Sequence, residues 1–352
     1  MSLWKSLSFV LGLSLAASAA VHGQSALRSP WDEHPVKLTD APYACPQPIH
    51  IPADLTTDGF YSDSKGSIID PVKWKAYELS AGPVKKLGVL AAAAADSYLT
   101  TGSRQAAACV LTLEKTAAQD KALTGRMSSN QAYFVQGWVE GALAVALLKV
   151  RPSGVVSDAD QKLLTNWMKV VTAQTMGYYD RLVSRNPEHV ANNHLYWAGV
   201  QVAAVAVAAD DRKLLGWAEE AYRNGSRQIT PEGTLPLEMR RGQRALHYHL
   251  YALSPLVYIA EFAEVNGIHL YAENDYAIRR LVSRAVAGLE GSGYFDQAAG
   301  VKQDLPDGAP PSAEAISWAR IYLHRFPDAH LAALLARAPA LDYMYLGGLP
   351  PY

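Results

Sequence analysis

Two short stretches concentrate side chains that do chemistry. The longer, Glu238-Met239-Arg240-Arg241-Gly242-Gln243-Arg244-Ala245-Leu246-His247-Tyr248-His249-Leu250-Tyr251, holds three arginines, two histidines and two tyrosines in fourteen positions. On a helix, Arg241, Arg244, Tyr248 and Tyr251 recur at steps of three, four and three, so they share one face. A solvated stripe rarely selects tyrosine and a core stripe rarely selects arginine. The face therefore suits the wall of a polar cleft, with a salt-bridged surface as the competing reading. Arginine's planar fork matches a carboxylate. The shorter stretch, Asn192-Asn193-His194-Leu195-Tyr196-Trp197, sets amides and an imidazole at a helix start, with Trp197 one turn beyond His194. Those groups can face one cleft, although on their own they read more simply as an asparagine cap, a hydrogen-bonded histidine and a core tryptophan.

The elements that must position these groups are helices. Alanine and leucine recur at helical spacing near 84–101, 105–119, 131–150, 158–179, 194–209, 212–224, 243–265, 276–289 and 312–326, and strand patterns are nearly absent. Ser157 or Asp158 caps one helix, Asn266-Gly267 ends another and Pro327 closes a third. Many helices in series with short connections predict an all-α fold, helical hairpins stacked as a toroid, in one domain. The proline-rich stretch 35–52 predicts an extended arm on the surface. The polar stretch 59–71, GFYSDSKGSIIDP, is either an ordinary surface loop or a lid, and a lid touching a polymer would use Tyr61 and Lys65.

Composition narrows the partners. Of 352 residues, 32 are Lys or Arg and 33 Asp or Glu, a formal net charge of -1. That balance excludes a broad nucleic-acid footprint, so an anionic partner must be held by a local cluster such as Arg240, Arg241 and Arg244. Lys5 followed by the apolar run from Leu7 to Ala20 reads as a signal peptide over 1–23, leaving 24–352 as the mature domain. No later segment predicts a membrane span. The expected location is the periplasm or the exterior. The chain's two cysteines, Cys45 and Cys109, are then expected to pair as a disulfide, since two thiols alone make a poor zinc cage. No metal and no other cofactor is expected, and the chain is expected to act as a monomer.

The two chemistry-bearing stretches, with Leu235-Pro236-Leu237 ahead of Glu238 and Asn266-Gly267 after Tyr251, resemble the family 5 polysaccharide lyases, the alginate lyases. The likeness is strongest over 192–281, while Cys45, Cys109 and 131–138 carry it more weakly and the tail beyond Gly288 is not placed. The resemblance implies an incomplete (α/α) barrel with a tunnel-like cleft and no required metal. It implies catalytic roles for Asn193, His194, Arg241 and Tyr248, sugar subsites at Gln131, Trp138 and Trp197, and a lid tyrosine at Tyr61. Arg244, His247 and Tyr251 join the expected substrate-binding set. Phe60 stands where relatives carry a basic residue, and His247 and Leu250 also depart from the family, which bears on substrate choice.

The chemistry agrees with that resemblance. In a 4-linked uronate the C5 proton becomes acidic only when the attached carboxylate is neutralised, a role for Arg241 with Asn193 and a protonated His194. Tyr248, its phenolate favoured by neighbouring cations, takes that proton and returns it to the departing O4. One residue serves both steps only when proton and leaving group lie on the same side, as in mannuronate and glucuronate but not guluronate. Mannuronan is the expected substrate and glucuronan the alternative. A glycoside hydrolase would need two cleft carboxylates about 5 to 10 Å apart, and Glu238 has no obvious partner. A non-catalytic polyuronate-binding protein would have no use for Tyr248 in register with Arg241. His247, about 100° from Tyr248 on a regular helix, is expected to pack against a neighbouring helix or, as the alternative, to reach the sugar.

Overall fold

The computed structural model describes residues 26–33, 35–186 and 190–352. The segment read as a signal peptide lies outside them. The described residues are helical, with β-bridges only as isolated pairs. The helices are α1 (Pro71–Thr101), α2 (Arg104–Gln119), α3 (Asn130–Val150), α4 (Asp158–Arg185), α5 (Asn193–Ala208), α6 (Arg212–Ser226), α7 (Pro236–Met239), α8 (Ala245–Glu264) and α9 (Glu273–Glu290). The short α10 (Gly293–Ala299), α11 (Ala313–Ile316), α12 (Trp318–Arg325) and α13 (Ala329–Leu335) follow.

Local chemistry sets these boundaries. The Asp70 side chain accepts from Val72 N and Lys73 N ahead of Pro71, starting α1 well before the expected residue 84. Pro83, which favours a break, sits inside α1 and removes one backbone donor without ending the helix. Ser157 caps α4, and Asn192 caps α5 by accepting from His194 N. The stretch expected as one helix over 312–326 is two, α11 and α12, meeting at Ser317.

Helices α3, α5 and α8 form the inner layer, α3 on α5 and α5 on α8, and each is buried around nearly its whole circumference. This is why their sequences are apolar on all sides. The outer α6, packed on α5, buries one stripe, Leu215, Ala218, Ala221, Tyr222 and Gly225. Small residues let the inner helices approach: a Cβ at Gly141 would stand 3.2 Å from the Cα of Gln201. The apolar run in α3 is long enough to cross a membrane by composition, but 89% of its window is buried inside the fold.

The arm expected over 35–52 is extended and clips to the helical body. Thr39 bridges Ser103, and Cys45 is disulfide-bonded to Cys109 on α2, with Cα atoms 5.4 Å apart. The C-terminal tail docks on α3. Lys149 Nζ donates to Asp96 Oδ1 at 2.6 Å and to Gly347 O at 2.6 Å, and Leu349 N donates to Asp96 Oδ2 at 2.9 Å. Burial lowers the Lys149 pKa while Asp96 opposes the shift.

Candidate active site

One cavity of about 300 Å³ gathers most of the singled-out residues: Tyr61, Gln131, Trp138, His194, Arg241, Arg244, His247, Tyr248 and Tyr251 all line it. Its walls come from the 59–71 loop, α1, α3, the start of α5, the α7–α8 junction, α11 and the tail.

Helix α8 begins at Ala245, not near 243. Ahead of it a 3-10 turn, Gly242–Arg244, is preceded by Arg241 and opened by Gly242 at φ +59°. The regular two-turn spacing expected between Arg241 and Tyr248 is thus replaced by a folded-back approach, with the guanidinium carbon 3.5 Å from the centre of the Tyr248 ring. Arg244 Nη1 donates to Tyr61 Oη at 2.7 Å, and the Tyr61 and Tyr248 hydroxyls are 2.6 Å apart. Arg244 also pairs with Asp304 at 3.3 Å. The loop is folded down on this group: Arg241 Nη2 donates to Gly66 O at 2.8 Å and Gln243 Nε2 to Ser67 O at 3.1 Å. It is held in shape by Asp63, whose Oδ1 accepts from Ser67 N and Ile68 N at 2.8 Å each.

The protonation states differ from expectation. Burial, with Arg241's charge second, brings His194 down to about 3, so the imidazole is neutral rather than cationic. Its ring stacks on Phe134 at 3.7 Å, and its Nδ1 has no hydrogen-bond partner. Burial also raises the Tyr248 phenol above its ordinary value; Arg241 and Arg244 oppose this and the Tyr61 hydroxyl adds to it. The cations therefore reduce, but do not reverse, the penalty on the phenolate.

Three expected site residues stand off the cavity. Asn193 is fully buried behind His194, its backbone N and Nδ2 both donating to Glu238, at 2.8 and 2.9 Å, with Oδ1 unpartnered. Trp197 is buried behind Tyr251, donating from Nε1 to Tyr251 O at 3.1 Å, because one turn beyond His194 the helix has passed into the core. Lys65 is exposed on the loop and does not line the cavity. His247, by contrast, lines the cavity and also meets a neighbouring helix: its Nε2 lies 2.9 Å from Arg244 Nη2 and 3.4 Å from Glu314 Oε1 on α11. His249 plays a structural part. Its Nε2 accepts from Leu235 N at 2.9 Å and its Nδ1 meets Ala245 O at 2.7 Å, fixing the turn that carries Glu238.

Several wall residues were not anticipated. Phe134 falls between Gln131 and Trp138 on one face of α3, a spacing that could have revealed it. Trp74 and Tyr77 come from the unanticipated first part of α1, Lys85 from its expected part, Glu314 from α11, and Tyr343 and Tyr345 from the tail, where no chemical cue marks them. Phe60 packs edge-on against Trp74 at 4.7 Å. Among the described residues, no group of three or more His, Cys, Asp or Glu is placed to hold a metal.

Fold and cavity define an α/α-toroid protein with a cationic, aromatic-walled cleft. Residues 54–295 match the family model described as alginate lyase, and the chain belongs to that family. It is a polysaccharide lyase. A polysaccharide lyase of Stenotrophomonas maltophilia (strain K279a) is 35% identical over 288 residues, covering 81% of this chain and 83% of that protein. An alginate lyase of Pseudomonas putida (strain KT2440) is 32% identical over 279 residues, covering 77% and 74%. Among solved structures, alginate lyase A1-III from Sphingomonas species A1 superposes with a TM-score of 0.72 at 23% identity, over 92% of this chain and 89% of that one. A variant of alginate lyase A1-III complexed with a tetrasaccharide gives a TM-score of 0.75 at 23% identity, over 92% and 88%.

Proposed function

We propose that this cavity cleaves β-1,4-linked polymannuronate by syn β-elimination, with Tyr248 as the proton carrier. The supporting observation is the Tyr61–Tyr248 hydroxyl contact of 2.6 Å beneath Arg241 and beside Arg244, in a cavity that also presents His194. Arg241 neutralises the carboxylate on C5, and neutral His194 contributes a hydrogen bond rather than a charge. Tyr248 Oη takes the C5 proton, the C4–O4 bond breaks with its electron pair going to O4, a C4–C5 double bond forms, and Tyr248 returns the proton to O4. Arg241 over the ring and the Arg244–Tyr61 hydrogen bond lower the cost of the phenolate in this step. Glu238 positions Asn193, which supports His194 from behind. Gln131, Trp138, His247 and Tyr251 bind sugar, Trp197 backs Tyr251, and Lys65 meets the polymer at the loop's outer edge.

Hydrolysis is disfavoured by the wall itself, where Glu314 is the one carboxylate among the lining residues. Mannuronate and glucuronate share the stereochemistry at C4 and C5, so glucuronan is the expected second substrate. The same reading makes the mature chain one periplasmic or secreted domain acting as a monomer, in keeping with a disulfide formed where thiols oxidise. Initial rates on mannuronan, glucuronan and guluronan, followed by the ultraviolet absorbance of the unsaturated product, test it. Mannuronan is expected to be fastest and guluronan nearly inert; guluronan as the best substrate would overturn the syn assignment.

A further inference from the structure

The proposed reaction draws on the cations and tyrosines of the cavity and leaves its acidic group, Glu314, unused. Glu314 stands in α11, and its side chain is 34% accessible among the lining residues. Its Oε1 lies 3.4 Å from His247 Nε2, and the Tyr343 hydroxyl hydrogen-bonds to the carboxyl. This contact with His247 is not an ion pair, because burial and the two arginines hold that imidazole neutral, with Nε2 already facing Arg244 Nη2 at 2.9 Å. Arg244 directs its own donors to Tyr61 and His247 and pairs with Asp304. Neither cavity arginine forms an ion pair with Glu314, and burial raises its pKa.

An acidic group open to a cavity that takes a polyanion repels every sugar carboxylate brought near it. It is compatible with the substrate only where the polymer presents something else. In a 4-linked chain with diequatorial linkages, successive sugars face opposite ways. A wall that meets the carboxylate of one sugar therefore meets the C2 and C3 hydroxyls of the next. Arg241 and Arg244 supply the carboxylate-binding part of the wall, and Glu314, next to His247, supplies an acceptor beside it.

We propose that Glu314 is a specificity-determining residue whose carboxyl accepts a hydrogen bond from the C2 hydroxyl of the sugar adjoining the one held by Arg241, and which keeps carboxylates out of that subsite. Mannuronate and glucuronate differ only in the orientation of the C2 hydroxyl, so a fixed acceptor there separates them. The inference rests on the polyuronate lyase reading. The test measures kcat/KM on mannuronan and on glucuronan for wild type, Glu314→Ala and Glu314→Gln. Losing a hydroxyl contact of this kind is expected to change the mannuronan-to-glucuronan ratio about fivefold or more in Glu314→Ala. Glu314→Gln keeps an accepting oxygen and is expected to stay within about twofold of wild type. An unchanged ratio in Glu314→Ala, or an equal loss on both polymers, would overturn the assignment; the equal loss is what a purely structural role through His247 and Tyr343 would give. A wild-type protein inert on both polymers would instead bring down the lyase reading, and this inference with it.

Discussion

Burial and charge act against each other on Tyr248, and the outcome fixes how the site responds to pH. A phenol raised above its ordinary value must shed its proton before it can act as a base, so the active fraction grows as pH rises. His194, held down to about 3, stays neutral and does not titrate where histidines ordinarily do. On mannuronan, kcat/KM is expected to climb steadily from about pH 6 to about pH 9 with no inflection near the usual imidazole value of about 6.5. A pH profile with an acid limb near that value, abolished by His194→Gln, would show that His194 titrates in the working enzyme. The residues behind this behaviour were legible because tyrosines and arginines in one register suit neither core nor surface. Their protonation was not legible, since it depends on burial that only the closed cavity creates. That Asn193 and Trp197 stand behind the wall was not legible for a related reason: helical spacing gives direction around an axis but not depth in the fold.

Among the elements, the 59–71 loop carries the clearest consequence. Gly66 has φ +61°, and a Cβ there would lie 2.5 Å from Arg241 Nη2, the atom that holds the loop down. Gly66→Ala is expected to raise KM by about three- to tenfold and to lower kcat as well, because the added methyl displaces both the loop and the Arg241 guanidinium that meets the C5 carboxylate. Steady-state kinetics check this; an unchanged KM would mean that the loop contact plays no part in holding substrate. The long helices were readable from periodicity, and Ser157, Asn192 and Gly267 marked boundaries near their observed places. The first half of α1 was not readable, because Gly82 and Pro83 imitate a stop signal. The break in 312–326 and the 3-10 turn before α8 were equally hidden, since both preserve helical spacing through a change of path.

On the scale of the whole molecule, the inner helices build a frame and the chain's outlying segments complete the cavity. The arm is tied to α2 by Cys45–Cys109, and the tail is tied to α3 and α1 through Lys149 and Asp96. That second tie sets Tyr343 and Tyr345 into the wall, so a buried ion pair far from the chemistry supports the site. Lys149→Met leaves Asp96 and the Gly347 carbonyl without their partner and is expected to cost about 3 to 5 kcal/mol of stability, measured by urea unfolding. A loss below about 1 kcal/mol would contradict a structural role for the pair. The toroid was legible as helices in series, whereas the tail's part in it was not, because its docking depends on one buried lysine, Lys149, whose burial the sequence does not reveal. The central claim, proton transfer by Tyr248 in a polyuronate lyase, is met most directly by comparing wild type with Tyr248→Phe on mannuronan. Product ultraviolet absorbance and calorimetric binding are read on the same preparations. The account predicts that the variant binds within a few-fold of wild type and loses about 10³-fold or more in turnover. A variant that keeps most of the wild-type rate, or a wild type that shortens the polymer without forming an absorbing double bond, would contradict it.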